Sequence, residues 1–187
     1  MRLFKVLCLL AVSFAPLKAQ KIKYGGIQQF SFLAGNVESE FRLNLVNGIR
    51  FKNYFTGIGF DLKLSRIGSL YTGNYAPTCL YADGRYYFGK NKNFFAKLDQ
   101  GINGIVTELP SYEYERIHRK IGYFGEGGLG VKAKLGNEVY YSIALSYAFR
   151  QTRYNREYYD FWRKGWNTEK YDIQQYFLVI HLGLEIF

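Results

Sequence analysis

The stretch Phe41 to Phe51, FRLNLVNGIRF, sets apolar Phe41, Leu43, Leu45, Ile49 and Phe51 against polar or charged Glu40, Arg42, Asn44, Arg50 and Lys52. A helix repeats its faces every three to four residues. A period of two over a dozen residues instead describes a strand with one apolar and one polar face. Seven further segments repeat the pattern. Phe30 and Phe32 oppose Gln29 and Ser31 within 27 to 34, and Ile58, Phe60, Leu62 and Leu64 oppose Gly57, Gly59, Asp61, Lys63 and Ser65. Leu80, Ala82, Tyr86 and Phe88 oppose Tyr81, Asp83, Arg85 and Tyr87; Phe94, Ala96, Leu98, Ile102 and Val106 oppose Phe95, Lys97, Asp99 and Asn103. Ile121, Tyr123, Leu129 and Val131 oppose Gly122, Glu126, Gly128, Gly130 and Lys132. The last two segments, VYYSIALSYAF and QQYFLVIHLGLEIF, set Ile143, Leu145, Leu178, Ile180 and Leu182 against Ser142, Ala144, Ser146, Arg150, His181 and Glu185.

Composition supports strands and turns: 18 Tyr and 16 Phe stand beside 20 Gly and only 3 Pro. No segment after the first twenty residues approaches 18 consecutive apolar residues, which excludes a helical membrane span there. The chain begins with a short basic stretch, Met1 to Lys5, then VLCLLAVSFAPL, then Lys18, Ala19 and Gln20. This pattern predicts a cleaved secretory signal peptide over residues 1–19 and a single domain over 20–187. Cys8 lacks the small residue that precedes a lipoprotein cysteine, and loss of the signal leaves Cys79 alone, so no internal disulfide is expected. Without Arg2, Lys5 and Lys18 the chain carries 22 basic and 15 acidic side chains, a formal +7. A basic exported protein can meet anionic lipid, lipopolysaccharide or nucleic acid.

Eight alternating segments predict an all-β, eight-stranded antiparallel barrel, and strands of this length cross a bilayer when tilted. Tight links at Asn53, at Gly89 to Lys92 and at Leu135 to Asn137 alternate with long ones near 66 to 76, 108 to 119 and 152 to 172. The remaining link on the long side, Gly35 to Glu38, is short. Phe51, Tyr54, Phe88 and Phe94 gather near the tight turns, and Tyr123, Tyr147, Phe149 and Tyr176 near the long loops, where interfacial girdles belong.

With its leader, its eight amphipathic segments and its final Phe187, the chain resembles the small outer-membrane β-barrels of Gram-negative bacteria, the OmpA, OmpX and OmpW group. The resemblance spans residues 22 to 187. It implies short periplasmic turns, longer extracellular loops, assembly by the outer-membrane machinery, a monomer, and contact with outer-membrane lipid and lipopolysaccharide. Phe187 departs from it: it is out of phase with Ile186, Leu184 and Leu182, which leaves its facing open. A soluble barrel of lipocalin type, carrying small apolar ligands, would instead turn the apolar face inward. Charge placement argues against that, because the apolar face is almost free of charge at the centre of every segment.

The polar faces hold the acids Glu40, Asp61, Asp83, Asp99, Glu126 and Glu185 and the bases Arg42, Arg50, Lys63, Arg85, Lys97, Lys132 and Arg150. An eight-stranded interior is just wide enough for side chains to fill. Unpaired charge there costs several kcal/mol per ion, so a cross-strand salt-bridge network that plugs the lumen is expected. A narrow conduit for apolar ligands would need fewer interior charges.

Gly125 to Gly130, GEGGLG, fits a dinucleotide fingerprint in letters only. That fingerprint needs a strand followed by a helix N-terminus, and VKAKLGNEVYYS reads as strand, turn and strand. No cofactor is expected, and no metal, because His118 and His181 are far apart and the thiol is alone. Some outer-membrane barrels are hydrolases, including lipid A deacylases. Here His118 lies in a predicted loop with Ser111, Glu113 and Glu115, a poorly positioned set, while His181 reads as an interior hydrogen-bonded histidine with Glu185 further along its face. No catalytic residue is assigned.

The segment Thr152 to Asp172 carries seven aromatics, five cations and four acids. That near balance disfavours nucleic acid, whose single-strand grooves are strongly positive. Its core, YYDFWRKGWN, is expected to be a loop tip rather than a strand. Tyr158, Tyr159, Phe161, Trp162, Arg163, Lys164 and Trp166 are the candidate contact residues for an extracellular protein or carbohydrate ligand, or for lipopolysaccharide.

Overall fold

A computed structural model describes residues 22–67, 79–104, 115–162 and 164–187. The expected signal peptide, 1–19, lies outside the described residues, as do 68–76 and 108–114 of the predicted loops. Nine strands follow in chain order: β1 (Lys23–Gly35), β2 (Ser39–Phe51), β3 (Tyr54–Ile67), β4 (Cys79–Phe88), β5 (Phe94–Asn103), β6 (Glu115–Lys120), β7 (Gly122–Lys134), β8 (Val139–Asp160) and β9 (Gly165–Ile186). Every pairing is antiparallel, and β1 meets both β2 and β9, from Gly26 opposite Ile186 to Gly35 opposite Phe177. Eight strands therefore close into a ring, β1-β2-β3-β4-β5-β7-β8-β9, which leaves no free sheet edge in the wall. β6 is not part of that ring: it pairs with β8 alone among the described strands, as an outward continuation of β7.

Period-two burial follows from closure. Along β9 from Gln175 to Ile186, buried and exposed residues alternate without a break. The buried ones face the lumen and the exposed ones face out. Ile58, Leu98, Leu129, Leu145 and Leu178 are each more than half exposed, and they form part of a continuous apolar belt. Apolar surface of that extent is not left in water by a monomeric soluble protein.

Aromatic side chains bound the belt at both ends. Near the tight turns Tyr54, Tyr86, Phe88 and Phe94 stack in sequence, with centroids 5.0, 6.2 and 5.8 Å apart. Near the other rim Tyr123, Phe149, Tyr176 and Tyr147 do the same at 6.2, 5.3 and 6.3 Å.

The lumen is packed with rings as well as charges, and two glycines make room for them. Gly59 faces Tyr81 across the β3–β4 ladder and Gly130 faces Phe95 across β5–β7. A Cβ at either position would overlap the opposing ring. The glycine run of β7 is thus strand throughout, with no helix after it to serve a dinucleotide.

Phe187 resolves its own phase by pointing inward. It is buried at the turn end against Phe55, Tyr87 and Tyr140, at 5.6, 6.1 and 6.2 Å, and its N–H donates to the Glu138 carbonyl at 2.9 Å.

Two expected loops are corrected. Residues 115–120 form β6, and 152–172 is a β-hairpin in which β8 runs on to Asp160 and β9 starts at Gly165. The candidate tip is therefore mostly strand: Tyr158 to Asp160 end β8, Gly165 to Asn167 begin β9, and Phe161, Trp162 and Lys164 lie in the turn between them. The physical reason is that both faces of this ladder are wet. A strand without a buried face has no need of apolar and polar alternation, so the periodicity that reveals the wall vanishes above it.

Candidate functional site

Two regions carry chemistry: the charged lumen and the sheet that projects from one rim. In the lumen twelve of the thirteen charged residues of the expected network have buried side chains; Arg50, near the turn end, is half-buried and stands apart from it. They are brought together as three linked groups along the barrel axis.

At the loop end Glu40 is the hub. It receives Arg42 from its own strand, Lys63 Nζ at 2.6 Å and Arg150 Nη1 at 2.8 Å. Arg150 also reaches Glu38 at 3.1 Å and Gln175 at 2.8 Å, while Arg42 Nη1 donates to Asp61 at 2.9 Å.

In the middle Lys97 Nζ lies 2.8 Å from Asp99 and 2.6 Å from Glu126. Glu126 is also 2.6 Å from His181 Nε2; on the other side of the ring Nδ1 is 2.7 Å from Ser31 Oγ, which donates to Asn44 Oδ1 at 2.7 Å. Asn44 in turn donates to Asp61 at 2.8 Å, which joins the middle group to the upper one.

Toward the turns Arg85 holds Asp83, Glu185 and Gln29 at 2.9, 2.9 and 3.0 Å, and Tyr87 donates to Glu185 at 3.0 Å. Lys132 Nζ stands 3.7 Å from Glu185.

Strand register explains the layering. Asp83 lies directly opposite Asp99, and Asp99 directly opposite Glu126; Arg85 lies opposite Lys97. Like charges directly opposite repel. Here the acid row and the basic row sit two residues apart along the strands, so Lys97 meets Asp99 and Glu126 along the strand and diagonally, while Arg85 and Arg150 also reach Glu185 and Glu40 across the lumen. Such pairs do not by themselves add much stability, because desolvation offsets their attraction. They do make the lumen intolerant of losing one member.

Sequence reasoning missed Glu38, Asn44, Gln175 and the hydroxyl of Tyr87 as participants. Asn44, Gln175 and Tyr87 share the parity of their strands' lumen faces, and Glu38, just before β2, keeps the parity of Glu40, which was the available signal.

The hydrolase candidates are placed as follows. Ser31, His181 and Glu126 are connected in the order of a hydrolytic triad, but all three are closed to solvent and their remaining valences are taken by Asn44 and Lys97. The arrangement positions a buried histidine. Its acid is Glu126, not the Glu185 suggested by its own strand, because Glu185 is engaged by Arg85. His118 is exposed on β6, not on a loop, 3.4 Å from Glu157; Ser111 and Glu113 lie outside the described residues. Among the described residues no group of His, Cys, Asp and Glu could hold a metal ion.

The projecting sheet is built from β6 and the outer halves of β8 and β9. Tyr154 stacks on Tyr171 at 4.7 Å and 13°, and Arg153 pairs with Asp172 at 3.2 Å. At the tip Tyr159 packs edge-on against Phe161 and Trp166, at 5.2 and 5.8 Å. The Asp160 carboxylate accepts the Trp162 N–H at 2.9 Å and shapes the turn, while Lys164 adopts φ 48°. Tyr158 lies on the opposite face from Tyr159, Trp162 is 98 % exposed, and Arg163 lies outside the described residues. Tyr159, Phe161 and Trp166 thus meet in one cluster, with Tyr158 on the other face and Trp162 left outermost.

No family model and no curated protein sequence matches the chain. Among solved structures it is similar to the solid-state NMR structure of the outer membrane protein AlkL in DMPC lipid bilayers, with TM-score 0.50 and 11% identity over 91% of this chain and 93% of that one. The fold is that of a small outer-membrane β-barrel. At such identity the likeness extends to architecture alone. Two mutants of the Rh. blastica porin match 89% of this chain at 9% identity, but at TM-score 0.16 they carry no argument.

Proposed function

We propose that this protein is a monomeric outer-membrane barrel whose closed, ion-paired interior is a rigid pedestal, and whose projecting sheet makes contacts at the cell surface. The observation that carries the reading is the length of β8 and β9. They stay paired for ten residues beyond Arg150 and Gln175, the last partners in the lumen network, and end in an exposed aromatic tip. At about 3.3 Å per residue that is about 30 Å of ordered ladder outside the wall. The apolar belt and its two girdles support a bilayer location, with tight turns toward the periplasm and the sheet outside. On this reading residues 1–19 are the leader that exports the chain, and the assembly machinery of the outer membrane inserts it. Lipopolysaccharide headgroups surround the base of the sheet, and a protein or carbohydrate is the tip's ligand.

The test is a trimmed barrel in which Gln151 and Gln174, which face each other across the ladder, are joined by an Asn-Gly turn. Cells displaying the full or the trimmed chain are compared on glycan and matrix-protein arrays. Both should appear in the outer-membrane fraction and shift on gels between heated and unheated samples. Only the full chain should bind, and Trp162→Ala with Trp166→Ala should reproduce the loss. Equal binding by full and trimmed chains would refute the contact role, and recovery in the soluble periplasm would refute the membrane reading. Planar bilayers at neutral pH should show no conductance above background.

A further inference from the structure

The turn end of the barrel holds positive charge that the lumen network does not answer. Lys23 and Arg50 are direct cross-strand partners on β1 and β2, an arrangement that repels. Lys23 is met by Glu138. Among the described residues Arg50 is paired with no carboxylate; its guanidinium lies over two rings instead, 4.9 Å from the centroid of Tyr87 and 4.5 Å from that of Phe187. Lys132 approaches the same rings from β7, at 3.9 and 5.2 Å, and its Nζ is buried without a hydrogen-bond partner. Lys52 follows in the β2–β3 turn, where φ is 52°. Beside them is an open cavity of about 230 Å³, lined by Lys23, Arg50, Lys52, Glu138, Tyr140 and Phe187. Three of these lining side chains are cationic and one, Glu138, is acidic, so the cations are in excess. Lys90, Lys92 and Lys134 on the neighbouring turns extend the same sign around the rim.

We propose that this mouth is a phosphate-binding site, and that its occupant is the phosphate of an anionic phospholipid headgroup. The guanidinium of Arg50 is a planar fork matched to phosphate oxygens, and Lys23 and Lys52 flank it as mobile point charges. Phe187 and Tyr140 give the cavity an apolar wall beside which a glycerol backbone can lie. An anion here relieves the opposed cations Lys23 and Arg50. The lipid source rests on the membrane reading above; the phosphate chemistry does not.

The test uses the full chain refolded in detergent, with heat modifiability checked first so that loss of the barrel is distinguished from loss of the site. Native mass spectrometry compares retention of phosphatidylglycerol with phosphatidylcholine, and calorimetry titrates inorganic phosphate. The expected result is preferential retention of phosphatidylglycerol, reduced about tenfold in Arg50→Gln with Lys52→Gln. Lys52→Asn alone, which suits the left-handed backbone at that turn, should lose severalfold without disturbing the fold. Lys90→Gln with Lys92→Gln, away from the cavity, should change retention by less than about twofold. Heat with inorganic phosphate but no preference for phosphatidylglycerol keeps the site and overturns its lipid occupant. Neither signal, or equal losses in the cavity and rim variants, overturns the site in favour of diffuse charge.

Discussion

β8 and β9 pair in one unbroken register from Val139 opposite Ile186 to Asp160 opposite Gly165, yet their two halves lie in different surroundings. In the lower half, one face is buried against the lumen network and the other is apolar and turned outward, so the residues alternate sharply. In the upper half, Tyr154, Arg156 and Tyr158 on one face and Asn155, Glu157 and Tyr159 on the other are all half-buried. Backbone hydrogen bonding is continuous across the boundary; what changes is the medium on each side. The lower half is fixed by charge complementarity and the belt, the upper half by side-chain pairs such as Tyr154 with Tyr171. The two should therefore respond to mutation on different scales.

The largest effect is expected at Glu40, where Arg42, Lys63 and Arg150 converge on one buried carboxylate. Glu40→Gln leaves three cations around an amide, and removing one partner of a buried ionic group costs about 3–5 kcal/mol. Urea unfolding of the refolded barrel in micelles should show that loss with the hairpin's own contacts unchanged. A cost under about 1 kcal/mol would mean that the lumen admits water freely and that the pedestal is not closed.

Next comes steric occupation of the lumen. Gly130→Val would place its side chain against the Phe95 ring. Overpacking of this kind costs about 1–3 kcal/mol, and Phe95→Ala in the same chain should return part of it. If the double variant is no more stable than Gly130→Val, glycine serves strand curvature here rather than room for the ring.

These two sites also mark what could be read in the chain beforehand. Parity alone placed Glu40, Arg42, Asp61 and Lys63 on one face, since a one-residue slip would send every charge into the belt. It could not say that Glu126 rather than Glu185 would meet His181, because that depends on the stagger between strands distant in sequence. The β8–β9 extension was illegible for a different reason. Its strand-forming Tyr, Thr and Trp were visible, but with both faces wet no alternation distinguishes strand from loop, and β6 is too short at 115–120 to show a period at all.

In the projecting sheet the effects should be small and local. Tyr154→Ala removes the stack with Tyr171, and a cross-strand pair contributes about 0.2–1 kcal/mol. The barrel's unfolding midpoint should stay where it is, while amide exchange should quicken from 153 to 171 and remain slow from 177 to 185. A global shift would instead mean that the sheet folds as one cooperative unit with the wall.

The smallest effect is a titration at Tyr171. Its hydroxyl donates to Glu169 Oε2 at 2.6 Å, and that hydrogen bond to a carboxylate raises its pKa above the ordinary tyrosine value of 10.0. The bond exists only while the phenol keeps its proton. Its contribution to the local ladder is therefore complete below the unfolded value and is lost as pH rises through the folded one. Glu169→Gln should bring the Tyr171 titration, followed by the ring carbon shift in a tyrosine-labelled sample, down toward the ordinary value. Exchange of the amides beside Tyr171 should quicken at alkaline pH in the native chain at a higher pH than in Glu169→Gln. Coincident curves would show that the hairpin, unlike the lumen, is held by its backbone ladder and stacked rings without help from charge.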